Sequence, residues 1–278
     1  MVVMVLLSLI VISLMAVFNS TQSAFRASVT QTDVLEGGRA AMDLITEDLR
    51  AMAPSGLTTN SDANANFWVR NYYGYPPLLQ SLVGVNNQNT KRTNVLENFF
   101  ILSRGNLNGV PTWYGTGYAV LTNDPGGSPL YPLYRFSKNY PVAATGAVSN
   151  LFYVDFVNFL NALPVGTTNY SHLIDGVVGL RVYAFDPNGA LINSTGRSFG
   201  TNVLLNVPGG VGYYFYSNAL PASVEIEMAT LEDRTLQRAG TWPNGSTAQI
   251  NYLAQQSGKV HVFRQRVTIP NVDPSVYQ

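Results

Sequence analysis

The chain has 278 residues, and its sixteen basic and sixteen acidic side chains give a formal net charge of zero at pH 7. Neither sign forms a long run, which excludes the basic footprint of a nucleic-acid-binding protein. Charged residues make up 12% of the chain, about half the share of an average soluble domain, as suits a protein outside the cytosol. Cysteine is absent, so disulfides, thiolate metal sites and cysteine nucleophiles are excluded.

The N-terminus is strongly apolar. Residues 1–18 contain only Ser8 and Ser13 as polar side chains, and Arg26 is the first charged residue. This length matches the distance across the hydrocarbon core of a bilayer. A secretory signal peptide would start with a basic stretch and end at a small-residue cleavage site. The apolar run instead continues into a helical pattern, so residues 1–23 are predicted to be the transmembrane half of a long helix, with a cleaved signal peptide as the alternative.

Residues 24–53 are predicted to form the amphipathic half of the same helix. Pro54 is the first proline, and only the pair Gly37-Gly38 weakens the helical pattern. At 100° per residue, apolar side chains gather on one side and charged side chains on the other. The predicted docking face is Val34, Ala41, Ile45, Asp48, Leu49 and Met52, and the predicted solvent face is Glu36, Arg39, Asp43, Glu47 and Arg50.

Asp48 is the one carboxylate close to the apolar stripe, so we expect it to face the rest of the protein. A carboxylate buried there needs donors, because burial without a partner costs several kcal/mol. The candidate donors are Arg181, Arg266 or backbone N–H groups of a nearby loop. A solvated position at the rim of the stripe is the alternative.

Residues 54–278 are predicted to form a single β-rich head, because short aromatic and β-branched runs alternate with Gly, Asn and Pro. Residues 186–189, Asp-Pro-Asn-Gly, predict a sharp reversal. Residues 231–258 predict a mixed helical excursion, and no other helical pattern stands out between Pro54 and there. The fold class is α+β, a long N-terminal helix packed on a mainly antiparallel sheet. The strand candidates are 98–103, 118–122, 131–137, 177–185, 203–207, 222–230 and 259–270.

The last two strand candidates are expected to pair. The clearest alternation lies in 222–230, where Val224, Ile226 and Met228 share one face and Glu225 and Glu227 share the other, as is typical of a half-buried strand. Antiparallel pairing with 259–270 would bring Glu225 or Glu227 near Arg264 or Arg266. Opposite charges across strands help to set the register.

Patterns typical of catalysis, metal binding or cofactor binding are not evident. His172 and His261 lie in distant segments, and zinc would need both together with carboxylates. Neither a Gly-x-Ser-x-Gly nor a phosphate-loop pattern occurs, and the glycine run at 209–212 predicts a turn. The acidic stretches at 124–127 and 232–233 supply too few oxygens for calcium. We therefore predict a protein that is not an enzyme and that has no cofactor.

Two aromatic clusters are candidate binding surfaces. Such clusters bind sugars or partner proteins through flat, half-polar rings. They are equally typical of the core of a β-domain, and core or subunit packing is the favoured interpretation. The candidate binding aromatics are Trp68, Tyr72, Tyr73 and Tyr75 in the first cluster and Tyr213, Tyr214 and Tyr216 in the second.

Three stretches resemble the pseudopilin J family of type II secretion and the W-type minor pilins of type IV pili. They are "GGRAAMDLITEDLRAM", "LIDGVVGLRVYAFDPNGAL", and the pair "LPASVEIEMATLED" and "VHVFRQRVTIPN". The last pair is also similar to the J-like proteins called Verru_Chthon cassette protein C. The likeness covers the first 52 residues and roughly the last hundred, and it leaves about 58–170 unmatched. The family's Phe-Thr-Leu-x-Glu start is missing, so Met1 corresponds to a position several residues into the mature helix.

The resemblance implies a structural subunit of a filament. Such a subunit is processed and methylated in the manner of prepilins by prepilin peptidase, at a site that would precede Met1. It is held in the inner membrane by a single pass, with its head in the periplasm or in an extracellular filament. Its partners are other pilin-like subunits that pack through the N-terminal helix. The alternative reading is a membrane-tethered, extracytoplasmic ligand-binding β-domain, and a tethered periplasmic enzyme comes third.

Overall fold

A computed structural model describes residues 2–57, 64–71, 79–80, 92–93, 95–121, 132–142, 148–161, 169–192, 202–205, 212–243 and 246–277. The helices of these residues are α1 (Val2–Arg50), α2 (Val148–Asn161), α3 (Asp233–Ala239) and α4 (Thr247–Ala254), with short 3₁₀ turns at Ser257–Lys259 and Pro274–Tyr277. The strands are β1 (Ala65–Asn71), β2 (Leu79–Gln80), β3 (Arg92–Thr93), β4 (Glu97–Leu107), β5 (Val110–Val120), β6 (Leu133–Pro141), β7 (Tyr170–Ile174), β8 (Val177–Phe185), β9 (Val203–Leu205), β10 (Gly212–Tyr216), β11 (Ser223–Leu231) and β12 (Val260–Thr268).

Helix α1 is continuous over 49 residues, which corresponds to about 74 Å at 1.5 Å per residue. The predicted weak point at Gly37-Gly38 does not break it. A Cβ atom at Gly38 would lie 2.3 Å from ring atoms of Phe263 on β12, and one at Gly37 would lie 3.4 Å from Ile174 on β7. Gly38 therefore lets the Phe263 ring pack directly on the helix backbone, which explains a glycine at that position.

Seven antiparallel strands form the main sheet, in the order β7-β6-β5-β4-β1-β10-β9. Alternate side chains point to opposite faces of a strand, and both faces of this sheet are buried. The face toward α1 carries Phe67, Val69, Phe99, Ile101, Tyr118, Val120, Tyr213 and Phe215. The opposite face carries Trp68, Phe100, Leu102, Ala119, Tyr134, Phe136, Tyr214 and Tyr216.

Helix α2 covers that opposite face and was not expected, since no helical pattern is predicted between Pro54 and residue 231. Its buried Phe152, Phe156 and Phe159 recur at helical spacing, but aromatic residues at this density also favour strands. Cβ atoms at Gly115 and Gly117 of β5 would lie 2.5 and 2.2 Å from the rings of Phe152 and Phe156. The sheet thus accepts this helix because two glycines leave space for its rings.

A second sheet of three antiparallel strands, in the order β12-β11-β8, packs on the α1 side of the molecule. The predicted pairing of its last two strands is confirmed. Glu225 lies opposite Arg266 and Glu227 lies opposite Arg264. Arg264 Nε donates to Glu225 Oε1 at 2.7 Å, a diagonal contact across the two strands.

The two sheets meet where β4 begins. Leu96 forms a parallel bridge with Leu180 of β8, and the Leu180 N–H donates to the Val95 carbonyl at 2.9 Å. The next free N–H on that edge, at Val182, donates to Glu97 Oε2 at 2.6 Å. A carboxylate side chain thereby completes the edge of the small sheet, so the head behaves as one packed unit.

The strand candidates fall on β4, β5, β6, β8, β9, β11 and β12, although residues 122, 131 and 206–207 lie outside the described residues. Five strands, β1, β2, β3, β7 and β10, are absent from the predicted set. Gly212 begins β10 rather than ending a turn, because its backbone approaches the Val69 carbonyl, and 209–211 lie outside the described residues.

The predicted reversal at 186–189 and the predicted helical excursion after β11 are both confirmed. Asp186 Oδ1 accepts from the Asn188 and Ala190 N–H groups at 2.9 and 2.8 Å, and Gly189 has a φ of 78°. The excursion consists of α3 and α4, which pack on the end of the small sheet. Their buried cluster is Val178, Leu231, Leu236, Ala239 and Leu253.

Candidate functional site: the surface that docks the N-terminal helix

The second half of α1 lies in the groove between the two sheets. Its predicted docking residues Ala41, Ile45, Leu49 and Met52 are buried in the main core, and Val34 is buried as well, beside the cleft described below. Two further residues of the same side, Met42 and Thr46, are also buried. The predicted solvent face is exposed throughout, namely Glu36, Arg39, Asp43, Glu47 and Arg50. One half of a single helix is therefore part of the head.

Asp48 faces the head and is bound there by two side chains of the main sheet. Arg135 of β6 donates through Nε to Asp48 Oδ2 at 2.7 Å and through Nη2 to Oδ1 at 2.9 Å. The Tyr118 hydroxyl of β5 donates to the same Oδ2. Tyr118 and Arg135 are direct register partners on neighbouring strands. The adjacent strands thus present two donors at one point on the helix.

The expected donors Arg181 and Arg266 are wrong. Both lie on the face of the small sheet that points away from α1, because their neighbours Val182 and Val267 fill the core side. The Arg266 guanidinium instead lies 3.7 Å from the centre of the Phe185 ring. The arginine that binds Asp48 is Arg135 of the main sheet. Its position depends on how β6 pairs with β5, which the local sequence pattern does not reveal.

The electrostatics of this cluster keep both donors, Arg135 and Tyr118, in their protonated forms. The hydrogen bond from Arg135 to Asp48 raises the pKa of the guanidinium above its ordinary value. Burial, and next the charge of Asp48, raise the pKa of the Tyr118 hydroxyl, which therefore stays protonated and able to donate. The side chains of Arg135 and Asp48 are only 23% and 16% exposed, so water competes weakly for these bonds.

The chain just after α1 is also fixed to the head. Met52 forms an antiparallel bridge with Ser103 of β4, and the Ala53 N–H donates to the Leu102 carbonyl at 2.9 Å. The buried Asn66 side chain accepts from the Ser55 N–H at 2.9 Å. The end of the helix is thus held by backbone bonds as well as by the Asp48 cluster.

The opposite end of the docked half lies beside β7 and the start of α3. A cleft of about 210 Å³ separates them, lined by Val34, Gly37, His172, Leu173, Ile174, Asp175, Leu231 and Asp233. This is below the usual 300–1,000 Å³ or so of small-molecule sites. His172 Nε2 lies 2.7 Å from Asp175 Oδ1, and His261 lies 3.6 Å from Glu232. Within the described residues, no cluster of three His, Asp or Glu side chains is placed to hold a metal.

The first half of α1 touches nothing else in the described protein. Val3–Phe25 is a 23-residue stretch of mean hydropathy 2.4 that is 0% buried, and it is long and apolar enough to cross a membrane. Its exposed side chains include Leu6, Leu9, Ile12, Leu14 and Phe18. A helix that is apolar on all sides is typical of a bilayer or a helix bundle.

The candidate binding aromatics that are described lie in the core. Trp68, Tyr214 and Tyr216 belong to the cluster under α2, and Trp68 stacks on Tyr214 with ring centres 6.1 Å apart. Tyr213 lies on the other face, and its hydroxyl donates to the Val182 carbonyl. These four rings therefore stabilise the sheet and offer little surface to a ligand. The remaining candidates, Tyr72, Tyr73 and Tyr75, lie outside the described residues.

Glu97, which lies where the two sheets meet, is expected to make the free energy of unfolding depend on pH. Burial raises its pKa from the ordinary 4.5 to about 7, against the opposing effects of the Val182 N–H and the Arg181 charge. A folded-state pKa above the unfolded one contributes stability that is complete below about pH 4.5 and is lost as the pH rises through about 7. We expect Glu97→Gln to remove about 2 kcal/mol of the fall in unfolding free energy between pH 5 and pH 8. Urea unfolding at both pH values measures this, and an unchanged pH slope in the variant would contradict it.

Comparison of the chain with protein-family models, with curated proteins and with solved structures returns no match. The class of the protein is therefore inferred from its architecture alone. This is a long helix with an exposed apolar half that is long enough to cross a membrane, joined without a break to a half that is part of an α+β head.

Proposed function

We propose that this chain is a membrane-anchored, pilin-like structural subunit, a minor pseudopilin or minor pilin of a type II secretion or type IV pilus-like filament. It assembles through the apolar half of α1, and it carries out no catalysis. Before assembly it sits in the inner membrane by a single pass, with its head outside the cytosol. Its partners are other pilin-like subunits, and prepilin peptidase processes the form that carries the cleavage site.

The observation that supports this proposal is the division of one continuous helix into two environments. Val3–Phe25 is exposed on all sides, while the Asp48 cluster and Met52 bind the other half to the head. A simple tether needs only a span and a flexible linker. A helix that is continuous with the core instead transmits the position of the head to the span, which an ordered filament requires.

Moving the span from the bilayer into a helix bundle requires little free energy. Lipid tails are as apolar as the side chains of the span, so moving the span between them changes little hydrophobic free energy. Packing and a few polar contacts then decide which helices associate. The hydroxyls of Ser8 and Thr21 are already satisfied within the helix, where they donate to the carbonyls of Met4 and Val17.

The alternative of a tethered ligand-binding domain receives less support from the head. Its argument rests on aromatic surfaces, and Trp68, Tyr213, Tyr214 and Tyr216 are buried. The described cleft beside Gly37 is small. These observations favour the filament subunit over the tethered ligand-binding domain.

Disulfide cross-linking tests the proposal, because the chain has no cysteine of its own. Single cysteines are placed in turn at the exposed span residues from Leu6 to Phe18, in cells that produce the chain at its natural level. We expect disulfide-linked dimers whose yield repeats every three to four residues, as a helix-packing face requires. Leu107→Cys, at an exposed site far along the β4 hairpin, is the matched control and should give much less product.

A uniform, low yield along the whole span would contradict the filament reading. That result describes spans that meet only by random diffusion in the bilayer. It would leave the tethered-domain alternative as the better account of the anchor.

A further inference from the structure

β12 is an edge strand of the small sheet, and among the described residues no strand pairs with its outer side. The Ile269 N–H donates to the Ala222 carbonyl, and the Glu232 N–H donates to the Lys259 carbonyl. Odd-numbered residues of this segment therefore direct their backbone groups toward β11. The N–H and carbonyl groups of Val262, Arg264 and Arg266 point outward, where they could bond an added strand.

The outward strand carries a defined charge pattern. Val262 is 61% exposed and the Arg264 side chain is 62% exposed, and Arg266 and Thr268 are exposed as well. Two rows of side chains cross the solvent face of the sheet and end at these arginines. One row runs Arg181, Glu227, Arg264, and the other runs Tyr183, Glu225, Arg266.

Both rows place a glutamate on β11 and end on an arginine of β12. In the first row a positive, a negative and a positive side chain follow one another. A neighbouring strand would continue the alternation if it placed carboxylates opposite Arg264 and Arg266. Residues opposite these two are themselves two apart, and they point to the same face.

We propose that the outer edge of β12 binds an extended segment of another protein, one that carries acidic residues at alternate positions and adds a strand to this sheet. Main-chain hydrogen bonds supply the affinity of such strand addition, and the side chains on one face supply the specificity. The arginines select the acidic partner and repel a basic one.

A second copy of this chain does not meet the requirement. Pairing of β12 with another β12 would bring arginines together, which is a known means of preventing association between identical edges. In the whole sequence, the one pair of acidic residues separated by a single residue is Glu225 and Glu227. These lie in β11, the central strand of the sheet, so the acidic strand comes from a different protein.

A peptide with the sequence of Ser223–Leu231 is a suitable probe, because it already pairs with β12 on its inner side. Fluorescence anisotropy measures its binding to the full chain in a mild detergent. A second peptide replaces both glutamates by lysine. We expect the acidic peptide to bind at least about tenfold more tightly than the lysine peptide, since two cross-strand attractions become repulsions. Amide exchange should slow at Arg264 and Arg266, whose N–H groups point outward.

The double variant R264E/R266E should reverse this preference, so that the lysine peptide binds more tightly than the acidic one. The matched control R234E/R238E changes the same charges on α3 and should leave the preference unaltered. If R264E/R266E fails to fold, amide hydrogen exchange of the unsubstituted protein with the acidic peptide still tests the proposal. Equal binding of the two peptides, absence of binding, or slowed exchange elsewhere would each overturn the proposal and leave the arginines as protection of an unpaired edge.

Discussion

Replacing Asp48 by alanine is expected to lower the free energy of unfolding by about 2–3 kcal/mol, a figure below that for a fully buried pair because some water reaches the cluster. Arg135 loses both acceptor oxygens and Tyr118 loses its only described acceptor. Both groups stay partly covered by the helix, so the loss of their bonds is not fully repaired by water. Urea unfolding of the full chain in a mild detergent measures the change.

Asp43→Ala is the matched control, because Asp43 is a carboxylate of the same helix on its exposed side. Its replacement should change the unfolding free energy by less than about 0.5 kcal/mol. A double-mutant cycle with Arg135→Met isolates the pair, and we expect a coupling of at least about 1 kcal/mol. Equal and negligible shifts for Asp48→Ala and Asp43→Ala would mean that the cluster does not hold the helix.

The docking face of α1 was predictable because helical periodicity is a local property. Successive residues of an α-helix are rotated by a fixed angle about its axis, so the sequence alone shows that Ile45 and Leu49 lie on the same side. Asp48 lies next to that side for the same reason. The hydrogen-bond donors to Asp48 could not be predicted in this way, because they depend on which strands pack against α1 after folding.

The strand pattern shows the same limit. β11 and β12 were predictable from the period of two in their sequences. In β11 apolar residues alternate with Glu225 and Glu227, although Glu225 is buried in the folded protein. β1 and β10 have both faces buried, with Trp68 on one side and Phe67 on the other. A strand covered on both faces loses its alternation, and its aromatic residues then resemble a binding cluster.

The structural roles of several glycines could not be predicted from residue type alone. Gly37-Gly38 predicts a weak helix by propensity, yet in the folded protein Gly38 receives the Phe263 ring. Gly115 and Gly117 likewise receive the rings of α2. A glycine within an element marks a bend, a bulge or a close approach, and only the tertiary structure distinguishes these.

Removing the residues before Phe25 is expected to release the protein from membranes completely. The span contributes favourable transfer energy on the order of several kcal/mol, since each Leu, Ile, Val or Phe at a helix centre contributes about 0.3–0.6 kcal/mol. The shortened chain should be recovered in the soluble fraction after ultracentrifugation of cell lysates. The full chain should stay with the membranes, even after a wash at high salt.

The shortened chain should also stay folded. No residue of Val3–Phe25 is buried in the described protein, whereas the docking residues from Val34 onward are retained. Its urea midpoint should therefore match that of the full chain in detergent, and Asp48→Ala should lower both by a similar amount. A shortened chain that still sediments with membranes at 1 M or so of salt would refute the anchor, because surface attraction is screened over about 3 Å there. Loss of folding would instead mean that the span contributes to the stability of the head, which would contradict the division of α1 into a membrane half and a docked half.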